Sequence, residues 1–224
     1  MVFKWIVLSS SVALAADNTQ NPASQALDSE AGRIISLIRS QQKEKILEVI
    51  DKVDKAIDKI IPIPDNERKR YAVLISLASK KYDIDPRIII SILKTESDFK
   101  QQAVSHTGDY SVAQINFKIW SKNFNKMDRA PLKYEKLIED EAYSIFRMAE
   151  ILHILKKEHS KKDVHWFARY HSNTPKYKNV YIKKLQVSLK KLLPFGPNML
   201  DGLPDNPKVV AEICLGEKHK IKGL

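Results

Sequence analysis

The amino-acid sequence predicts an all-α protein, and two observations carry that prediction. Apolar residues recur at helical spacing through most of the chain, and no segment alternates apolar and polar residues for the length of a strand. Prolines and aspartates stand where those helices are expected to begin or end. The 224 residues are enough for one domain with an appended segment and a core that needs no disulfide or metal.

The composition excludes several kinds of site. Cys214 is the one cysteine, so an intramolecular disulfide or a multi-cysteine zinc site is excluded, and we interpret it as a small packed apolar residue. The six histidines do not fall at metal-ligand spacing, and no cofactor is implied. A formal charge of +11 favours an anionic partner, which by charge alone could be nucleic acid, a membrane surface or a cell-wall polymer.

The first residues have the pattern of a secretory signal. Lys4 precedes a short apolar stretch that ends in the small-residue pattern Ala13-Leu14-Ala15, which predicts a signal peptide over residues 1–16. The mature protein is then periplasmic or secreted, and export argues against nucleic acid as its partner. The chain has no apolar run of about 18 residues, so no spanning membrane segment is expected.

The segment after the signal, residues 17–64, is predicted as a polar linker followed by a long amphipathic helix. Isoleucines and valines recur at helical spacing over residues 29–61, and Pro62 and Pro64 forbid continuation. One helix or a helical hairpin fits this pattern. Its apolar stripe needs a partner, which can be the following domain, a membrane, or a secretion-system or envelope protein.

Residues 65–193 are predicted to form the catalytic domain and residues 194–224 an irregular tail. Asp65 is expected to cap a helix to Lys81, and Asp85 to cap a very apolar helix that starts at Pro86 and ends at Ser97. The remaining helices are expected over residues 112–124, 131–158, from Asp163 through Phe167, and over 176–193.

Glu96 is the first residue to suggest chemistry. It stands at the end of the most apolar helix, where poor solvation raises the pKa of a carboxyl. A carboxylic acid that stays protonated near neutral pH is what glycosidic cleavage requires, because the leaving oxygen must receive a proton. Taken alone, Glu96 is better interpreted as an ordinary surface glutamate at a helix end, because glutamates are common.

The motifs that follow Glu96 decide between these interpretations. Glu96-Ser97 is followed in order by segments at 108–116 (GDYSVAQIN), 168–173 (ARYHSN) and 181–185 (YIKKL). This set resembles the soluble lytic transglycosylase (SLT) family of the lysozyme-like superfamily over about residues 68–190. Goose-type lysozymes have the same framework of motifs. The segments at 108–116 and 168–173 are most similar to those of the small transglycosylases of bacterial secretion and conjugation systems.

The resemblance implies a lysozyme-like helical domain with an extra N-terminal helix, acting on peptidoglycan glycan strands. Glu96 would protonate the β-1,4 bond between N-acetylmuramic acid and N-acetylglucosamine and then act as base on the 6-hydroxyl, with Tyr181 orienting it. The residues expected to bind or support the glycan are Ser97, Asp109, Ser111, Gln114, Ile115, Asn116, Tyr170 and His171.

Asp109 and two departures from the family pattern keep two alternatives open. Ser111 replaces the usual glycine, and His171-Ser172-Asn173 replaces Asn-Ala-Gly. A goose-type-like lysozyme would use Asp109 as a second carboxylate and hydrolyse the bond, on ordinary or modified peptidoglycan. A non-catalytic glycan-binding assembly protein on the same fold would tolerate both departures.

Overall fold

The structure, a computed structural model, describes the backbone of residues 22–215 and the side chains of residues 33–215. The predicted signal peptide lies outside these residues. The described part is built from α-helices, two 3-10 helices and one short hairpin, which confirms the all-α prediction. The helices are α1 (Pro22–Asp58), α2 (Asp65–Tyr82), α3 (Pro86–Ser97), α4 (Phe117–Lys126), α5 (Tyr134–Glu139), α6 (Glu141–His159), α7 (Pro175–Leu192) and α8 (Pro207–Leu215). The strands are β1 (Asp109–Tyr110) and β2 (Ile115–Asn116), and the 3-10 helices are Trp166–Tyr170 and Leu193–Phe195.

Helix α1 is a single helix, not a hairpin, and it begins at Pro22, inside the predicted polar linker. The chain divides into two compact units at residue 41. In the first unit the side chains of residues 33–41 are exposed. In the second, Ile46, Val53 and Ile57 are fully buried in the domain core. From Ile46 onward the apolar stripe is covered by the protein's own domain, which was one of the predicted alternatives. A secretion-system or envelope partner for residues 29–61 stays a prediction.

Helix α3 is the centre of the core and carries Glu96 near its end. Asp85 accepts a hydrogen bond from the backbone N–H of Arg87 at 2.9 Å, and Pro86 is the first helical residue, as predicted. Its isoleucines and Leu93 pack against α2 and α7 and are almost all fully buried. Each buried side chain of this size stabilises the fold by about 1.5–3 kcal/mol, so the position of Glu96 is fixed by the core.

The helix predicted over residues 112–124 begins later, because a hairpin takes its first part. Strands β1 and β2 pair antiparallel, with Tyr110 opposite Ile115. Ser111 and Gln114 in the turn between them have positive φ, 75° and 47°, which no helix accommodates. Helix α4 starts at Phe117 and is capped by Asn116, whose side chain accepts from the Ile119 N–H at 3.0 Å.

Three further boundaries differ from the prediction. The helix expected over 131–158 is divided into α5 and α6, because Asp140 leaves the helical conformation and accepts from the Tyr143 N–H at 2.9 Å. Asp65 is the first residue of α2 instead of its cap. The tail predicted as irregular contains α8, which packs on α2 and buries Val210.

Candidate active site

A cleft of about 910 Å³ opens beside the end of α3. It is large enough for a chain of sugar units and is walled by the hairpin, α4, α6 and the 3-10 helix Trp166–Tyr170. The residues that line it are Glu96, Ser105, Thr107, Asp109, Gln114, Asn116, Ile119, Trp120, Asn123, Lys126, Met127, Ile154, Leu155, Glu158, His159, Arg169, Tyr170, His171, Ser172, Asn173 and Tyr177.

Glu96 is the most unusual ionisable group in this cleft. Its side chain is 15% exposed, and it accepts a hydrogen bond from the Tyr181 hydroxyl at 2.5 Å, on Oε1. Burial raises the pKa of Glu96 to about 7, and nearby Asp109 adds to the rise, while the Tyr181 hydrogen bond and Lys184 oppose it. The carboxyl therefore exchanges a proton close to neutral pH, which suits a group that must both give and take one.

Tyr181 lies behind Glu96, inside the protein. It is 3% exposed, and burial together with the neighbouring Glu96 raises its pKa well above the ordinary value. It is therefore a hydrogen-bond donor to the carboxyl over the whole working pH range. Since the phenol engages Oε1, the second carboxyl oxygen is the one left to carry the exchangeable proton.

The turn between the two strands is tied to the core by two hydroxyls that meet adjacent carbonyls. Ser97 donates from Oγ to the Val112 carbonyl at 2.6 Å, and Tyr170 donates to the Ala113 carbonyl at 2.6 Å. Ser97 thus joins the end of α3 to the turn, and Tyr170 joins the 3-10 helix to it. Three elements that carry site residues are locked together at this point.

Gln114 and Ser111 adopt the left-handed backbone conformation of the turn. The Gln114 side chain spans the loop by donating from Nε2 to the carbonyls of Ala103 at 2.8 Å and Ser111 at 3.0 Å. Ser111 is 1% exposed and has φ 75°, a region that favours glycine. This conformation explains why a glycine is expected at this position, and the serine occupies it with some backbone strain.

Asp109, on strand β1, is held as a carboxylate in the hairpin wall of the cleft. Burial opposes its ionisation, but hydrogen bonds from Thr107, Ser105 and Asn116 outweigh burial and lower its pKa below the ordinary value. Thr107 and Ser105 donate to Oδ2 at 2.5 and 2.7 Å, and Asn116 donates to Oδ1 at 2.8 Å. Both oxygens are thus engaged in fixing the hairpin.

The site residues predicted from the sequence all lie near the cleft. Some of them line it, and others lie outside its lining. Glu96, Asp109, Gln114, Asn116, Tyr170 and His171 line the cleft. Ser97, Ser111, Ile115 and Tyr181 lie outside the lining, and Ile115 is fully buried. Ser111, Ile115 and Tyr181 are buried behind the cleft wall, and Ser97 is half-buried at the end of α3.

Sequence reasoning missed the apolar end of the cleft. Ile119 and Trp120 on α4, and Ile154 and Leu155 on α6, line it together with Met127. Trp120 could have been predicted as a cleft residue, because it lies only four residues after Asn116, the end of the motif at 108–116. The α6 residues had none, since their pattern was that of an ordinary core stripe.

Two kinds of feature are absent from the described residues. Among the side chains of residues 33–215, no group of three His, Cys, Asp or Glu is placed to hold a metal ion. Over the same range no helix combines the length and apolarity needed to cross a membrane.

Comparison with known proteins decides the family. Residues 73–174 match the family model described as the transglycosylase SLT domain. This match places the domain that contains these residues in the lysozyme-like SLT family. No significant match was found among curated proteins or among solved structures. Members of this family are peptidoglycan lytic transglycosylases, so the SLT domain supports an enzyme whose substrate is peptidoglycan.

The SLT match covers the carboxyl and most of the cleft. It includes α3 with Glu96, the hairpin, and the 3-10 helix with Tyr170, and it ends one residue before α7. Tyr181 on α7 therefore lies beyond the matched segment, although its hydroxyl contacts Glu96. SLT proteins are typically periplasmic or extracellular.

Proposed function

We propose that this SLT protein cleaves the β-1,4 bond between N-acetylmuramic acid and N-acetylglucosamine with Glu96 as its single acid and base. The observation that carries the proposal is the raised pKa of about 7 of a buried cleft carboxyl. Such a group is substantially protonated when the glycan binds and becomes a competent base once the proton has left. Residues 65–193, supported by the buried half of α1, form the catalytic domain.

The reaction needs no second carboxylate when the substrate supplies the nucleophile. Glu96 gives its proton to the glycosidic oxygen as the bond to C1 of the muramic sugar breaks, which leaves an oxocarbenium-like centre. The Glu96 carboxylate then takes the proton from the 6-hydroxyl as O6 attacks C1. The products are a 1,6-anhydromuramic end and a free 4-hydroxyl, and Glu96 is returned to its protonated form. Tyr181 keeps the carboxyl oriented through both steps.

Hydrolysis by Asp109 is the competing reaction in the same cleft. An inverting hydrolase needs a carboxylate free to hold and deprotonate a water molecule. Asp109 instead uses both oxygens to hold Ser105, Thr107 and Asn116. These hydrogen bonds favour a role for Asp109 in fixing the hairpin wall of the cleft. They support a transglycosylase over a lysozyme.

The decisive experiment is mass spectrometry of purified sacculi, ordinary and chemically deacetylated, after incubation with the protein. We expect anhydro-muropeptides from the wild type and a loss of at least about 100-fold in rate for Glu96→Gln, the usual size of a general acid–base contribution. Glu139→Gln is the matched control, because Glu139 is an exposed glutamate outside the cleft lining, and it should retain wild-type rates.

The other products would redirect the assignment. Reducing-end products from the wild type would indicate a lysozyme, and Asp109→Asn would then be the next variant. Binding of sacculi without any cleavage, equal in wild type and Glu96→Gln, would instead favour a glycan-binding assembly protein.

We further propose that residues 1–16 are a signal peptide and that the enzyme works outside the cytoplasm. The family's usual location and the Lys4–Ala16 pattern support this. The intact mass of protein recovered from the envelope or medium should match a chain that begins at Ala16 or Asp17. A mass that retains Met1 would contradict it.

A further inference from the structure

His171 contacts the catalytic pair in a way that the proposed mechanism does not use. Its ring stacks on Tyr181 with a centroid separation of 4.5 Å and an angle of 11° between the planes. Its Nδ1 lies 3.9 Å from Oε1 of Glu96, and its side chain is 48% exposed, toward the cleft that it lines. It is thus the only histidine of the described residues placed against both members of the pair.

Tyr181 and His171 both lie near the same carboxyl oxygen, Oε1 of Glu96. The phenol hydrogen bond occupies Oε1 at 2.5 Å, while 3.9 Å is too long for a hydrogen bond from the imidazole. A neutral imidazole therefore leaves Oε1 to Tyr181. A protonated ring carries a positive charge to the same oxygen, where it favours the carboxylate and competes with the phenol.

The charged and titratable groups around His171 come from every neighbouring element. Glu96 comes from α3, Asp109 from the hairpin, and Tyr181 and Lys184 from α7. Burial and then Lys184 lower the pKa of His171, and Asp109 opposes them. The ring is therefore neutral near pH 7, which is the state in which it leaves the Glu96–Tyr181 contact undisturbed.

We propose that His171 is a positioning residue that acts through Glu96: its neutral ring stacks on Tyr181, and its protonated ring pairs with Oε1 and lowers the activity in acid. The inference rests on the proposed function of Glu96. Two effects act in the same direction. The imidazolium weakens the carboxylate as the base that must take the 6-hydroxyl proton, and its charge disfavours the oxocarbenium-like transition state.

The size of the effect follows from the separation of the charges. A unit charge about 4 Å from another in a water-like dielectric changes an equilibrium by about fivefold, and more where water is excluded. We therefore expect the acid limb of the wild-type pH–rate profile to follow the titration of His171, and the alkaline limb to follow that of Glu96.

The first test compares pH–rate profiles of kcat and of kcat/KM for anhydro-muropeptide release. His171→Phe keeps a ring for stacking but cannot be protonated, and His171→Asn restores the residue usual in the family. Relative to its own maximum, each variant should retain about fivefold more activity than the wild type at pH 5. His106→Phe, which removes an exposed histidine outside the cleft lining, should keep the wild-type profile.

A second test does not depend on turnover. NMR titration of the His171 ring in the full chain should show its own inflection and a second one near pH 7 that reports Glu96. Glu96→Gln should abolish the second inflection and leave the first. A single inflection in the wild type would show that the two groups do not interact and would overturn the proposal.

The combined outcomes separate this inference from the proposed function. Anhydro products with an acid limb unchanged in His171→Phe would overturn the role of His171 and leave Glu96 in place. A limb that persists in His171→Phe but is lost in His171→Asn would point to stacking alone and would also overturn it. Coupled titration without any anhydro product would instead refute the proposed reaction.

Discussion

At the scale of a single residue, the burial that raises the pKa of Glu96 also lowers the stability of the protein at alkaline pH. A carboxyl with a pKa of 4.5 in the unfolded chain and about 7 in the folded protein binds its proton more tightly when folded. The contribution of Glu96 to the free energy of unfolding is therefore fully present below about pH 4.5 and is lost as the pH rises through 7. One pKa unit corresponds to about 1.4 kcal/mol, so the loss approaches about 3 kcal/mol at pH 8.

Glu96→Gln should accordingly be more stable than the wild type at pH 8, by about 2–3 kcal/mol in the free energy of unfolding. At pH 4 the advantage should vanish, because the wild-type carboxyl is then protonated in both states. Denaturant unfolding of both proteins at the two pH values measures this. Glu139→Gln supplies the comparison, and an equal difference at pH 4 and pH 8 would contradict the buried-acid interpretation.

At the scale of elements, Asp163 fastens the 3-10 helix Trp166–Tyr170 to α7. It accepts hydrogen bonds from Arg169 at 2.9 Å, from the His165 N–H at 3.1 Å and from Lys178. Although burial opposes ionisation, these donors lower the pKa of Asp163 to about 2. Because the folded pKa lies below the ordinary 3.8, this contribution is present above about pH 4 and is lost as the pH falls toward 2.

Asp163→Asn should destabilise the protein by about 1–3 kcal/mol at pH 7, since two cations lose their partner. The difference between variant and wild type should shrink as the pH falls from 4 to 2, the range in which the wild-type carboxylate is protonated. Thermal unfolding across this range is the measurement. A difference that stays constant down to pH 2 would show that the charge is not what fastens these elements.

Elements also show what the sequence can predict and what it cannot. Asp85-Pro86 predicts the start of α3 because a cap and a first-turn proline are local signals, and they place Glu96 at the helix end. The break at Asp140 was not predictable, since the apolar stripe continues through it and only a capping contact with Tyr143 reveals it. The hairpin was missed because strands of two residues are too short to show alternation.

The candidate site divides in the same way. The motif order located the cleft and its carboxyl, because those residues lie in a few short segments. The stacking of His171 on Tyr181 brings together two residues that are ten apart in the chain. The apolar end of the cleft brings together α4 and α6, which are farther apart. Contacts of this kind depend on how helices pack, which no local pattern reports.

At the scale of the whole molecule, the domain core extends beyond the boundary expected at residue 65. Ile46, Val53 and Ile57 are fully buried, so the second half of α1 is part of that core. Over residues 33–41, by contrast, every described side chain is exposed. The compact unit that contains the cleft therefore begins at residue 42.

Two truncations test this boundary. A chain that begins at residue 42 should keep its cooperative unfolding, with a Tm within a few degrees of the mature protein, and its glycan cleavage. A chain that begins at residue 62 should not fold, because each buried aliphatic side chain lost costs about 2–5 kcal/mol against a total stability of about 5–15 kcal/mol. Circular dichroism melts distinguish them, and a stable chain from residue 62 would contradict the boundary.

The two hydroxyl ties on the hairpin turn have a practical consequence. Because Ser97 and Tyr170 hold the adjacent carbonyls of Val112 and Ala113, this wall is already fixed before sugar binds. A rigid, preorganised compound that copies a glycan's contour against it would lose little conformational freedom on binding. Inhibitor design against this protein should therefore begin from the turn and grow along the cleft toward Trp120.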